Sequence, residues 1–222
     1  MEPIIASKNK SSYLSPFAKN RLQKIINIFV FGLLIGAIMA FFANFFVNTV
    51  SYISSVRDQL SIFTIKFADL ELNYLPLLTL IIAAFLINFL KSTFKVQRWN
   101  GPADAIYAAH RTDNKLDIKV GYLSTLTALI SASGGASVGQ YGPLVHLGAT
   151  IGTTLKKVTK DLLSIDVFLG CGVAGAISAG FGAPLAGIIF AHEAILRHFS
   201  MRALAPIAIA SFTATATTNL LF

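Results

Sequence analysis

Five stretches of this chain contain no Asp, Glu, Lys or Arg: residues 25–56, 72–90, 120–155, 167–192 and 203–222. A helix rises 1.5 Å per residue and needs about 20 apolar residues to cross a bilayer's hydrocarbon core. Each stretch meets or approaches that length, so the pattern predicts an all-α polytopic membrane protein. Residues 120–155 exceed one span but are too few for two spans and a loop. The middle of that run reads Gly134-Gly135-Ala136-Ser137-Val138-Gly139-Gln140-Tyr141-Gly142-Pro143. Glycines and a proline there predict a broken helix, with Pro143 in the first turn of its second piece. Run 167–192 repeats the device at Gly180-Phe181-Gly182-Ala183-Pro184. One more break, earliest in the chain, is Asn100-Gly101-Pro102, which precedes a short helical stretch to about His110.

Helices that break at membrane depth persist only where the freed backbone faces protein or a cavity, and they mark transporter and channel sites. Each break turns a helix N-terminus, with unpaired N–H groups and about half a positive charge, toward the interior. Such termini bind anions. Neither Asn100–Pro102 nor Gly139–Pro143 contains a carboxylate, which suits an anion and disfavours a cation. From the residues alone, the reading is an anion pathway through a helical membrane protein.

Composition sharpens this picture. The chain has 222 residues, 55% hydrophobic and 13% charged, with mean hydropathy +0.68. Soluble domains carry about 25% charge, so a water-soluble fold is excluded as the default, as is a disordered chain. Twelve of the eighteen Phe precede residue 101, whereas fourteen of the sixteen Gly lie between 101 and 187. Bulky lipid-facing spans are therefore expected first and tightly packed helices afterwards.

The net charge of +8 fits topology rather than nucleic acid, which is not expected as a partner. Residues 1–24 form a basic leader with Lys8, Lys10, Lys19, Arg21 and Lys24 against Glu2. Residues 91–119 carry six basic and three acidic side chains, and 57–71 carry two and three. The positive-inside rule then puts the leader and 91–119 in the cytoplasm and 57–71 outside. No cleaved signal peptide is expected, because the leader and first run are both too long. A multi-pass protein of a bacterial inner membrane is the expected setting.

The break segments resemble the CLC family of chloride channels and chloride/proton exchangers. Gly139-Gln140-Tyr141-Gly142-Pro143 is similar to the family's G-K/R-E-G-P signature, and Asn100-Gly101-Pro102 lies where the family has G-S-G-I-P. Gly180-Phe181-Gly182-Ala183-Pro184-Leu185-Ala186-Gly187-Ile188-Ile189-Phe190 is similar to A-A-F-N-A-P-L-A-G-I-L-F. The likeness runs over residues 25–222 and matches the first of the family's two inverted-topology halves; the second half is expected to be missing. It implies a CLC-type transmembrane domain, a homodimer in the lipid bilayer, and chloride or a similar small anion held by helix N-termini. Asn100, Gly101, Pro102, Gly139, Gln140, Tyr141, Gly142 and Pro143 would line the pore, with Asn100 in the place of the family's central serine.

Two departures bear on mechanism. The gating glutamate of the family falls on Tyr141, whose phenol stays neutral near pH 7 and can only donate a hydrogen bond. The inner proton glutamate falls on Ala194, beside a retained Glu193. The expected activity is therefore passive, channel-like anion conduction. The alternatives are a non-conducting half-protein that needs a second half, and proton-coupled exchange.

Other features have simpler readings. Asn100 can serve as an ordinary N-cap. Glu193 is either a functional intramembrane acid or the partner of Arg197 four residues on. His146 is expected to pack or to hydrogen-bond a neighbouring helix. Gly135-Ala136-Ser137-Val138-Gly139 fits the G-x-S-x-G pattern of serine hydrolases, but there is no strand before it, so an intramembrane protease at Ser137 is a remote alternative. Gly170-Cys171-Gly172-Val173-Ala174-Gly175 fits G-x-G-x-x-G outside any βαβ unit, and close helix packing explains it better. The single cysteine, Cys171, and four scattered histidines give no metal site. No enzymatic activity, cofactor or metal is expected.

Overall fold

A computed structural model describes residues 16–60, 64–67, 70–110, 116–159, 163–199 and 201–221. The helices are α1 (Pro16–Gln59), α2 (Leu75–Thr93), α3 (Pro102–His110), α4 (Ile118–Ser133), α5 (Tyr141–Val158), α6 (Ile165–Phe181), α7 (Pro184–Phe190) and α8 (Met201–Leu221). A π-helical turn, Ala191–Leu196, continues directly from α7. The fold is all-helical as expected, apart from one antiparallel hairpin, β1 (Thr64–Phe67) and β2 (Leu70–Asn73), in register from Thr64↔Asn73 to Phe67↔Leu70. That hairpin falls in the loop between the first two apolar runs. Of the basic leader, residues 1–15 lie outside the described residues.

Three helical stretches, Ile25–Gln59, Leu75–Thr93 and Met201–Leu221, are long and apolar enough to cross a membrane. The other two uncharged runs are each divided where the glycines and prolines stand. Residues 120–155 become α4 and α5, and 167–192 become α6, α7 and part of the π turn. Helix α6 ends on Gly182 in the left-handed conformation (φ 63°), the usual glycine C-cap, and Pro184 then opens α7.

The core is built around α6, which is buried from Val167 to Ala179. Its partner α5 approaches backbone to backbone. A Cβ on Gly148 would strike the Gly172 carbonyl, one on Gly172 the Gly148 carbonyl, and one on Gly152 the Phe168 carbonyl. These pairs share one antiparallel register, and the same register brings Gly180 against the Tyr141 ring. On the other side α6 packs against α1 and α8, with Met39 on Gly175 and the Ile207 side chain on Gly170. Helix α8 packs closely on α1, where the Ala210 carbonyl lies over Gly36.

Polar groups freed by the breaks are met locally. Ser211 on α8 donates to the Pro184 carbonyl (2.6 Å) and touches the Ser178 hydroxyl, while Thr215 donates to the Ser178 carbonyl (3.2 Å). This tethers α7 to α8. At the far end of α4, Thr79 Oγ1 donates to the Gly134 carbonyl (2.9 Å), and the Arg57 guanidinium reaches the Ser133 carbonyl (3.5 Å). A cation at a helix C-terminus also suits its negative dipole end.

The glycine seam yields a direct test. Gly172→Ala forces backbone against backbone, which side-chain repacking cannot relieve, and is expected to cost about 3 kcal/mol or more. The midpoint of thermal unfolding in detergent should fall sharply. An unchanged midpoint would show that α5 and α6 do not meet this way.

Candidate functional site

The first break is held by its own neighbours. Pro102 opens α3 behind Gly101, and Asp104, in the first turn, folds back so that the Gly101 N–H donates to its Oδ2 (2.7 Å). This is the acidic half of a capping box. The other carboxylate oxygen pairs with Arg98 Nη2. The Asn100 N–H donates to Ser124 Oγ on α4 (2.8 Å). The expectation of a carboxylate-free N-terminus is thus corrected: Asp104 lies outside the Asn100–Pro102 segment, yet one helical turn brings it onto that segment's N–H groups.

The second break is more open. The chain leaves α4 through Gly134 and through Gly135 at φ 102°, a conformation that favours glycine. It enters α5 at Tyr141 with Pro143 in the first turn. Gln140 makes no side-chain cap there, and the first turn holds no acidic residue. A Cβ on Gly139 or on Gly101 would meet nothing within 4 Å, so backbone at both breaks borders open space.

Six of the eight anticipated pathway residues divide between two cavities. Asn100, Gly139 and Pro143 line one of about 330 Å³, together with the α4 hydroxyl residues Ser124, Thr127 and Ser131. Pro102, Tyr141 and Gly142 line another of about 520 Å³, whose remaining walls are apolar side chains of α5, α6, α7 and the loop between the last two. Gly101 and Gln140 border neither. Tyr141 is 36% exposed, and its ring stacks on Phe181 at a centroid distance of 3.7 Å and 22° between planes. Its hydroxyl makes no hydrogen bond among the described residues. It therefore stands beside the apolar cavity and is not in the one that holds Asn100.

A third cavity, of about 430 Å³, lies on the other side of Asn100. Lys95, Arg98 and Lys119 line it, with Asp117 as the acid. Asp117 is engaged in capping α4, accepting from the Val120 N–H (3.1 Å). Lys119 Nζ sits 5.5 Å from the Phe94 ring centroid, a cation–π distance. Asn100 lines both this basic cavity and the hydroxyl-lined one. Neutral hydroxyls can donate to an anion, and surrounding cations raise its local concentration.

Sequence reasoning missed several of these groups. Ser124, Thr127 and Ser131 repeat at i, i+3 and i+7 inside an uncharged run, the mark of one polar helix face. Asp104 stands three residues after the cap position, also a readable signal. The Phe181 stack carries no such local sign.

Near the third break Glu193 and Arg197 are both exposed. No ion pair joins them among the described residues. The anticipated i, i+4 pairing assumed continuous α-helix, whereas Glu193 lies in the π turn and Arg197 leaves it left-handed at φ 52°. Ala194 is half-buried. Cys171 is buried and free.

The sequence profile described as "Voltage gated chloride channel" matches residues 79–222. The "Voltage-gated ClC-type chloride channel ClcB" of Yersinia pseudotuberculosis serotype I (strain IP32953) is 27% identical over 140 residues, covering 63% of this chain and 34% of that protein. The "Putative chloride channel protein ClcB-like" of Ralstonia nicotianae is 29% identical over 119 residues, covering 51% of this chain and 28% of that one. Among solved structures, the "Crystal structure of a CLC-type fluoride/proton antiporter" superposes with TM-score 0.65 at 21% identity. It covers 94% of this chain and 49% of that one, which carries the fold. The chain spans about a third of the length of these relatives.

Tyr141 offers a simple check of the arrangement. Tyr141→Phe keeps the stack and should leave thermal stability within about 0.5 kcal/mol, whereas Tyr141→Ala loses the pair energy of about 0.5–1.5 kcal/mol besides its buried area. Equal unfolding midpoints for the two variants in detergent would show that the ring is not packed on Phe181.

Proposed function

Because the chain belongs to the voltage gated chloride channel family, we propose that it provides a passive route for a small anion, chloride in the first instance, across a lipid bilayer. The observation that carries this reading is the position of Asn100, which lines both the basic cavity and the hydroxyl-lined one. An anion drawn in by Lys95, Arg98 and Lys119 would exchange water for the hydroxyls of Ser124 and Ser131, the Thr127 hydroxyl being donated to the Ser124 carbonyl. It would then approach the uncapped N-terminus of α5, where N–H groups and the helix dipole favour negative charge. Gly101, Pro102, Gln140, Tyr141, Gly142 and Pro143 frame that approach, and Tyr141 takes the gate position.

Passive movement follows from chemistry. Position 141 holds a phenol and position 194 a methyl group, so neither offers the carboxylate that would couple anions to protons. No step in this reading makes or breaks a covalent bond or calls for a cofactor. Within it the protein is a homodimer of a bacterial inner membrane, in keeping with its bacterial relatives.

A second reading has its own observation. Leu185, Ile189 and Phe181 are 66%, 55% and 54% exposed along α7 and the adjoining edge of the apolar cavity. A second half of protein packed on this face would complete the route, and the chain alone would then not conduct.

Chloride efflux from proteoliposomes separates these readings. Passive conduction predicts efflux driven by a chloride gradient, without uphill proton movement. Gly139→Leu should block it while leaving the fold intact, since the added side chain enters open space. Efflux that drives protons uphill would overturn passive conduction. Efflux seen only after fusion to a second half would establish the second reading.

A further inference from the structure

His146 is 1% exposed on α5, and neither ring nitrogen has a hydrogen-bond partner among the described residues. An imidazole brings a donor and an acceptor wherever it goes, so two unpartnered nitrogens in a packed interior are unusual. The expected packing is present; the hydrogen bond to a neighbouring helix is not.

The surroundings of the ring follow from the α5 helix. Gly142, His146 and Thr150 share one face at i, i+4 and i+8. A Cβ on Gly142 would lie 3.6 Å from Pro102 at the start of α3, and Thr150 covers Gly121 of α4. His146 lies between these contacts, below the first turn of α3. Burial from water is the largest influence on the ring there, followed by the Asp104 carboxylate and the Gly101 backbone. Other titratable groups nearby are engaged or turned away. On α3, His110 is exposed with Nδ1 on the Ile106 carbonyl, and Tyr107 is exposed. On α4, Lys119 sits over Phe94 and Tyr122 bonds Thr154. The face of α6 turned to α5 offers the buried Cys171 thiol, with Asp166 at that helix's start. On α1, which meets α5 only lightly, Arg57 pairs with Asp58. In the π turn packed on α3, His192 holds the Ile188 carbonyl through Nδ1 and Glu193 is exposed.

We propose that His146 is a proton-binding site that competes with Gly101 and Arg98 for the Asp104 carboxylate, so that a bound proton opens the first break to an anion. With the ring neutral, Asp104 keeps the arrangement seen here, on the Gly101 N–H and on Arg98. Asp104 then acts as a built-in anion on the α3 N-terminus. When the ring takes a proton, its two N–H groups become charged donors, and a charge-assisted bond draws the carboxylate inward. The Gly101 N–H and the Arg98 guanidinium are left free for a diffusible anion beside Asn100. Histidine is the side chain that makes this exchange near neutral pH. Anion and proton binding then favour one another reciprocally.

This proposal rests on the anion-route reading, so its test reads the ring directly as well as the flux. Full-length protein labelled with 15N-histidine is placed in bilayers and followed by solid-state NMR from about pH 8 to about pH 5, with His146→Gln identifying the signal. The ring should pass from neutral to charged in that range. It should charge only at lower pH in Asp104→Asn, which lacks the stabilising carboxylate, and at higher pH in potassium chloride than in potassium gluconate. Chloride efflux should rise as pH falls, by up to about tenfold per unit for one linked proton, and lose that dependence in His146→Gln. A ring that stays neutral throughout, or that titrates identically in Asp104→Asn, overturns the proposal. A ring that titrates through Asp104 in a protein without efflux upholds the proton site and overturns the conduction reading alone.

Discussion

The contact on which the rest of this molecule depends is the backbone-to-backbone seam between α5 and α6. At Gly148, Gly152 and Gly172 no side chain intervenes, and carbonyl oxygens of one helix fill the space a Cβ would need on the other. In a bilayer the hydrophobic effect gives helices little reason to associate, so close van der Waals approach through small residues does that work. The seam also sets register. Because α5 and α6 run antiparallel along one line of contacts, the start of α5 is fixed against the end of α6, and Tyr141 must meet Gly180 and Phe181. Two breaks far apart in sequence are thereby placed side by side.

A second constraint is the need to satisfy backbone groups at depths where water is scarce. The three breaks meet it differently. The α7 break borrows the Ser211 hydroxyl from α8, and the end of α4 borrows Thr79 and Arg57. The α3 break uses its own Asp104 and the Ser124 hydroxyl. Neither the start of α5 nor that of α7 has a side-chain cap on its N–H groups, whereas Asp104 covers the start of α3. Three cations, three hydroxyls and one well-placed amide residue are otherwise modest chemistry. Their value lies in lining two cavities that Asn100 also lines.

Much of this was legible in the chain itself. Gly134, Gly135 and Pro143 marked the division of a long uncharged run, and Gly182 and Pro184 marked the next, because glycine and proline act on their own φ and on the adjacent hydrogen bonds. The short helix from Pro102 to His110 was likewise readable. The Glu193–Arg197 pairing was not, since it assumed an α-helix where the chain takes a π turn and then a left-handed residue. The hairpin at Thr64–Asn73 also escaped notice, being eight short strand residues in a loop judged only by its charge.

By itself, then, the sequence determined that this is a helical membrane protein of three long apolar helices and several broken ones, and where each break falls. Those are properties of local backbone and of apolar length, carried by residues near one another in the chain. Only the tertiary structure decided that Asp104 covers the start of α3, that Tyr141 lies on Phe181 and outside the cavity Asn100 lines, and that His146 is buried with no hydrogen-bond partner among the described residues. The last two depend on side chains from different helices meeting in space. Helix rotation and register fix those meetings, and here both come from the glycine seam.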